Sequence, residues 1–290
     1  MPDASSSQST SNLLDDSAAD GSPFELVNAD GNRDVLILCD HASAALPKKY
    51  ETLGLPATEL HRHIAYDIGC AEVCRALALR LNCPAILGRY SRLLIDLNRG
   101  PDDPTIVMKL SDGAVIPANA DVDAFRDAGE FNHRISHYHQ PYHDEVDRQI
   151  KTALDEGHVP AVFSIHSFTP SWRGRQREWE AGVLWDKDPR LAMPLIDVLS
   201  NKVGLTVGDN EPYGGYLRGD TLYRHCTTQG LPHVLLEIRQ DLIDTVAGQA
   251  EWVDRLADII PVLIAAGNVQ EISRYGSRTD RGIMRTDKDG

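Results

Sequence analysis

A chain of 290 residues, 42% hydrophobic and 25% charged, carries enough apolar material for one large α/β domain or two small ones and is ordinary for a globular protein. Its net charge of -14 repels nucleic acid and anionic membrane surfaces, so neither is an expected partner. No run approaches the ~18 apolar residues of a membrane span, and the N-terminus has neither a basic nor an apolar leader region, so the expected location is cytoplasmic. The five cysteines, Cys39, Cys70, Cys74, Cys83 and Cys226, show no repeating spacing and fit a reducing compartment.

Residues 1–22 are rich in Ser, Asp and Ala and are expected to form a disordered tail. Val35-Leu36-Ile37-Leu38-Cys39 reads as a buried central strand, and it stops at Asp40-His41-Ala42-Ser43. Pro47 and Gly54-Leu55-Pro56 mark a loop. From Asp67 the pattern turns helical, with Cys70, Cys74, Leu77 and Leu81 on one face, and Asp67 itself stands where a helix cap is favoured. Pro84–Leu87 and Arg92–Asp96 read as two further strands, the second running into Leu97-Asn98-Arg99-Gly100-Pro101. Residues 97–120, broken by Pro101, Pro104 and Pro117, form a long irregular loop of the kind that is usually functional. A helical segment with His133, His137, His139 and His143 follows, interrupted by Pro141, which starts a new helix to about Glu156.

Ala161–Phe168 is an apolar run between Pro160 and Thr169-Pro170, a buried strand that delivers His166 to its C-terminal end. A basic loop, Arg173 to Arg177, comes next, then a short strand at Gly182–Trp185, a helix over 189–202 and a turn-rich insertion at Tyr213–Tyr216. His233–Arg239 is again an apolar strand ending in charge, and Trp252, Leu256, Ile259 and Leu263 fall on one face of a closing helix. From Gly276 onward a second flexible tail is expected, leaving residues 23–275 as one domain. Strands alternating with helices predict an α/β fold with a mixed, mostly parallel sheet.

Four of these predicted strands end in groups that are costly to bury: His41, Asp96 with Asn98 and Arg99, His166, and Glu237 with Arg239. Parallel strands would gather them along one edge, where α/β sheets bind ligands. Two histidines and a carboxylate with an open position make a catalytic zinc centre, a further glutamate can carry the proton, and Arg beside Asn suits a substrate carboxylate. No Gly-x-Ser-x-Gly elbow or phosphate-cradling loop is present, which removes serine esterases and nucleotide hydrolases from the front rank.

Cys39-Asp40-His41-Ala42-Ser43, Tyr66-Asp67, Ile95-Asp96-Leu97-Asn98-Arg99, Pro141-Tyr142-His143, Ser164-Ile165-His166-Ser167 and Leu236-Glu237-Ile238-Arg239, in this order over roughly residues 33–265, resemble the N-formylglutamate amidohydrolase family within the zinc carboxypeptidase-like group. The resemblance implies a three-layer α/β/α fold of phosphorylase/hydrolase-like, zinc exopeptidase-like type. It implies one Zn2+ on His41 and His166 with a carboxylate as third ligand, Asp67 being the choice and Asp40 the alternative. It implies Glu237 as general base, Asn98 and Arg99 as the clamp on a small carboxylate-bearing N-acyl substrate, and His143 in the pocket wall. Two departures mark a divergent branch. Ala44 stands where the carboxypeptidase pattern has a glutamate, and Asp-His-Ala-Ser replaces Pro-His-Ser-Gly, so the substrate need not be N-formylglutamate itself.

Arg239 either binds substrate or pairs with a nearby acid. His61 and His63 read as surface or capping residues, and His137, His139 and His143 as a weak candidate for a second metal. Two rivals stand beside the amidohydrolase: a zinc peptidase or deacylase on a larger substrate, and a non-catalytic metabolite-binding protein.

Overall fold

The computed structural model describes residues 21–265 and 267–280, so most of both expected tails, residues 1–20 and 281–290, lies outside the described residues. In chain order the strands are β1 (Phe24–Val27), β2 (Val35–Cys39), β3 (Ala85–Gly88), β4 (Leu110–Ser111), β5 (Ala114–Val115), β6 (Ala161–Phe168), β7 (Ser171–Trp172), β8 (Arg175–Gln176), β9 (Ala181–Leu184), β10 (Val207–Asp209) and β11 (His233–Arg239). The α-helices are α1 (Cys70–Arg80), α2 (Ala128–Arg134), α3 (Gln140–Asp155), α4 (Pro189–Asp197) and α5 (Val246–Ile264). Seven strands form one sheet in the order β1-β3-β2-β6-β11-β9-β10, while β4–β5 and β7–β8 are small separate hairpins. β3, β2, β6 and β11 run parallel, and the direction reverses at β1 and at β9.

Alternation along β2 shows why the sheet is covered on both sides. Val35, Ile37 and Cys39 join a core with residues of α1, α4 and α5, whereas Leu36 and Leu38 face Tyr142, Val146 and Ile150 of α3. That is the expected three-layer α/β/α architecture. Gly69 sits just before α1 at φ 82°, and a Cβ there would lie 2.2 Å from the Ile243 carbonyl oxygen, so only glycine lets the helix begin this close to the chain after β11. Pro141 stands in the first turn of α3, which continues α2 through a widened turn at Ile135–His139.

One expectation is corrected. Arg92–Asp96 is buried but is not a strand: Leu94 N bonds Ser91 O, Arg92 N bonds Ala65 O, and Leu93 N takes the Ser91 hydroxyl, so the segment turns instead of joining a ladder. Its leucines fill a second core with Leu53, Ile64, Ile106 and Val122, beneath the long 97–127 region. Near the end of the described residues, Arg278 N donates to Asp186 at 2.9 Å and its guanidinium lies over Trp185 and Tyr216.

Candidate active site

The parallel strands place the site. His41 follows the end of β2, His166 lies near the end of neighbouring β6, and Glu237 of β11 is in register with His166. Asp67 is brought in by its amide, which donates to His41 O at 2.9 Å. It is not a helix cap, because no side chain caps α1.

One oxygen of Asp67 faces both rings: Oδ2 is 3.3 Å from His41 Nδ1 and 2.8 Å from His166 Nδ1. The far nitrogens are held as well. His41 Nε2 meets Asp96 Oδ1 at 2.7 Å, and His166 Nε2 meets Asp40 Oδ2 at 3.0 Å. Asp40 is fixed by the hydroxyls of Tyr142, Ser164 and Thr221, and Arg92 reaches Asp96 at 2.8 Å and Asp67 at 3.5 Å. Asp40, the alternative third ligand, therefore supports His166 from behind.

With the Nε2 atoms of the two rings engaged by Asp96 and Asp40, both Nδ1 atoms face the same Asp67 oxygen, and the three side chains gather in a buried space that suits a cation. Their ligand atoms all lie within 4.8 Å of one another, so His41, Asp67 and His166 could hold a metal ion. The charges agree. Burial opposes ionisation of Asp67, yet His41 and His166 outweigh it and lower its pKa; Arg92 and His41 do the same for Asp96, and His166 for Asp40. Burial also opposes a charged His166, but hydrogen bonds to Asp40 and Asp67 hold its pKa well above the ordinary value, a proton filling the role of a cation. Glu237 is different: burial pushes it up to about 7, and its Oε2 is enclosed without a hydrogen-bond partner among the described residues.

These groups open on a cavity of about 270 Å³. Asn98 and Arg99 line it. Asn98 Oδ1 accepts from Thr221 N, which leaves its NH2 without a protein partner among the described residues, and Arg99 is steadied by Asn98 O and Thr105. His143 and Arg239 are not brought to the cavity. His143 is 1% exposed, and its Nε2 donates to Leu97 O behind the wall, while Arg239 pairs with Asp241 and the Trp179 carbonyl. The cavity also recruits Arg92, His63, Gln240 and Asp220, none of which the sequence marked as a site residue. Only Arg92 carried a signal, its spacing of four from Asp96.

No curated protein matches the chain at a significant level. Among solved structures it is similar to gene product Atu2144 from Agrobacterium tumefaciens, with 38% identity and a TM-score of 0.80 over 88% of this chain and 98% of that one. It is also similar to N-formylglutamate amidohydrolase from Ralstonia eutropha JMP134, with 18% identity and a TM-score of 0.64 over 84% and 98%, a likeness of fold. The family model of N-formylglutamate amidohydrolase matches residues 33–244. Spanning most of the chain and the whole site, that match establishes that the chain belongs to the N-formylglutamate amidohydrolase family.

Proposed function

We propose that the protein is a zinc-dependent amidohydrolase that cleaves the amide bond of a small N-acyl amino acid, releasing the acyl acid and the free amino acid. The observation that carries this is the meeting of His41, Asp67 and His166 with the unpartnered, buried carboxyl of Glu237 in one cavity. A two-histidine, one-carboxylate set suits zinc, which when bound supplies Lewis acidity and brings the pKa of a water down to about 7.

The chain's own groups do the rest. Arg99 donates to the substrate carboxylate, with the Asn98 NH2 beside it, and so fixes the amide in the cavity. Glu237 takes a proton from the attacking water as the C–O bond forms, then hands it to the amine nitrogen as the C–N bond breaks. Its raised pKa matches that double role near neutral pH. Arg92 lines the cavity with a buried Nε that has no partner among the described residues, and that N–H is available to the oxyanion. A cavity of about 270 Å³, just below the roughly 300–1,000 Å³ usual for small-molecule sites, favours one acylated amino acid over a peptide.

The test is zinc content and hydrolysis of N-formyl and N-acetyl amino acids, with and without a chelator. Glu237→Gln should keep its zinc and lose about 10²–10⁴-fold in kcat. Turnover that survives chelation refutes the metal, and turnover that survives the substitution refutes the base.

A further inference from the structure

We propose that the end of the cavity bounded by Leu184, Leu235, Gly215 and Asp220 receives the substrate's side chain, and that Asp220 selects a side chain that donates hydrogen bonds, an amide or an ammonium, over a carboxylate. The proposal rests on the amidohydrolase reading above and goes on to name the substrate class.

The sheet register gives the position. Leu235 lies two residues before Glu237 on the same face of β11, and Leu184 is its partner on β9, so this wall extends one strand further from His166. All four residues also border a smaller neighbouring crevice, which marks them as one end of the main cavity. Gly215 lets the Tyr213–Tyr216 turn press onto that end, since a Cβ there would sit 2.1 Å from Trp185 N. No side chain from this residue can fill the space.

Asp220 is 8% exposed, and one of its oxygens is committed, Oδ1 accepting from Tyr223 N at 2.7 Å. The other oxygen accepts from no protein donor among the described residues. Burial pushes the carboxyl up to about 7, as expected for an acid short of a second partner. Of the two guanidiniums that line the cavity, Arg92 is held by Asp96 at 2.8 Å and Asp67 at 3.5 Å, whereas Arg99 has only a looser pairing with Asp103 at 3.9 Å and is the one assigned to the α-carboxylate. A second carboxylate at this end would meet two leucines and an acid, and the one guanidinium whose charge reaches Asp220, Arg99, is the group assigned to the α-carboxylate. A donor group would complete the hydrogen bonding of Asp220, and a site built around such a bond discriminates strongly against analogues that cannot make it.

The experiment compares zinc-loaded protein on N-formyl-glutamine, N-formyl-lysine and N-formyl-glutamate, and measures binding of the free amino acids by calorimetry. The glutamine or lysine derivative should exceed the glutamate derivative by about tenfold or more in kcat/KM. Asp220→Asn keeps an oxygen for Tyr223 N, and with zinc content and Tm as folding controls it should shrink that ratio. Preferred hydrolysis of the glutamate derivative overturns the proposal while leaving the amidohydrolase reading intact. An unchanged ratio in Asp220→Asn overturns it too. If nothing is hydrolysed, that reading fails, and binding decides the subsite: free glutamine or lysine binding above glutamate upholds it, and no preference removes it.

Discussion

Asp40 and Asp96 are not among the residues lining the cavity, yet each fixes one histidine ring by its far nitrogen. Losing such a partner frees the tautomer and the ring orientation and typically costs 10–100-fold in metal affinity. Asp96→Asn should therefore weaken zinc binding by about that factor in a chelator competition titration, and wild-type affinity would show that the pair does not orient His41. Glu237 and Asp220 make a pH prediction for metal-free protein. Both have folded pKa values raised to about 7, so the fold favours their protonated forms. Their stabilisation is full below the unfolded value near 4 and is lost as pH rises through about 7. Asp40, Asp67 and Asp96 are lowered, and their contribution is lost only at acid pH. His166, raised, loses its own as pH climbs beyond the ordinary histidine range. Denaturation midpoints of chelated protein should thus fall between pH 5 and pH 7.5, and Glu237→Gln should flatten part of that slope; an unaltered slope would contradict the burial of its carboxyl. Of the cavity lining, His41, His166, Asn98, Arg99 and Glu237 could be singled out because they stand where apolar runs end, whereas Asp67, read locally as a helix cap, came forward only through the family's motif. Asp220 and His63 lie in loops with no periodicity, so only the folded chain brings them to the cavity.

Between the elements, the histidines of α3 and the turn before it act on the Leu97-Asn98-Arg99 segment. His143 Nε2 bonds Leu97 O at 3.0 Å and His139 Nε2 bonds Arg99 O at 2.9 Å, while His143 Nδ1 meets His225, which in turn meets Asp147 at 2.7 Å. Burial keeps both rings neutral, His139 falling to about 4 and His143 well below its usual value. Two carbonyls of Leu97-Asn98-Arg99 are thus pinned from behind. His143→Phe should loosen the loop, raising KM for the acyl amino acid more than it lowers kcat, and should cost about 1–3 kcal/mol by leaving the buried His225 Nε2 unpaired and taking one of two donors from Leu97 O. A fall in kcat alone would refute the bracing role. The strands β2, β6 and β11 were readable because continuous apolar runs in a covered parallel sheet have few alternatives. Arg92–Asp96 has the same composition but belongs to the second core, and composition cannot say whether a buried run finds a ladder partner. The edge strands β1 and β10, of four and three residues, are too short to carry a pattern.

For the molecule as a whole, the decisive feature is where the chain reverses its progress across the sheet. From β2 it crosses through α1 to β3 on one side, and it later returns to place β6 on the other, so the carboxyl ends of β2 and β6 border the crevice where α/β sheets bind ligands. His41 and His166 come from the two sides of that crevice and Asp67 from the connection that leads to α1. An ion bound there would join segments far apart in sequence, with buried carboxylates around it that oppose one another in its absence. Binding to the folded state alone stabilises by about 4 kcal/mol when free metal exceeds its Kd a thousandfold. At roughly 2–4 °C per kcal/mol for a domain of this size, chelation should lower Tm by about 10 °C in calorimetry at neutral pH. Restored free zinc should recover the shift, and it should shrink in Asp96→Asn in step with its weaker binding. Equal Tm values with and without chelator would mean that no ion bridges the two strands, and the convergence of His41, Asp67 and His166 would then need a proton, not a metal, at its centre.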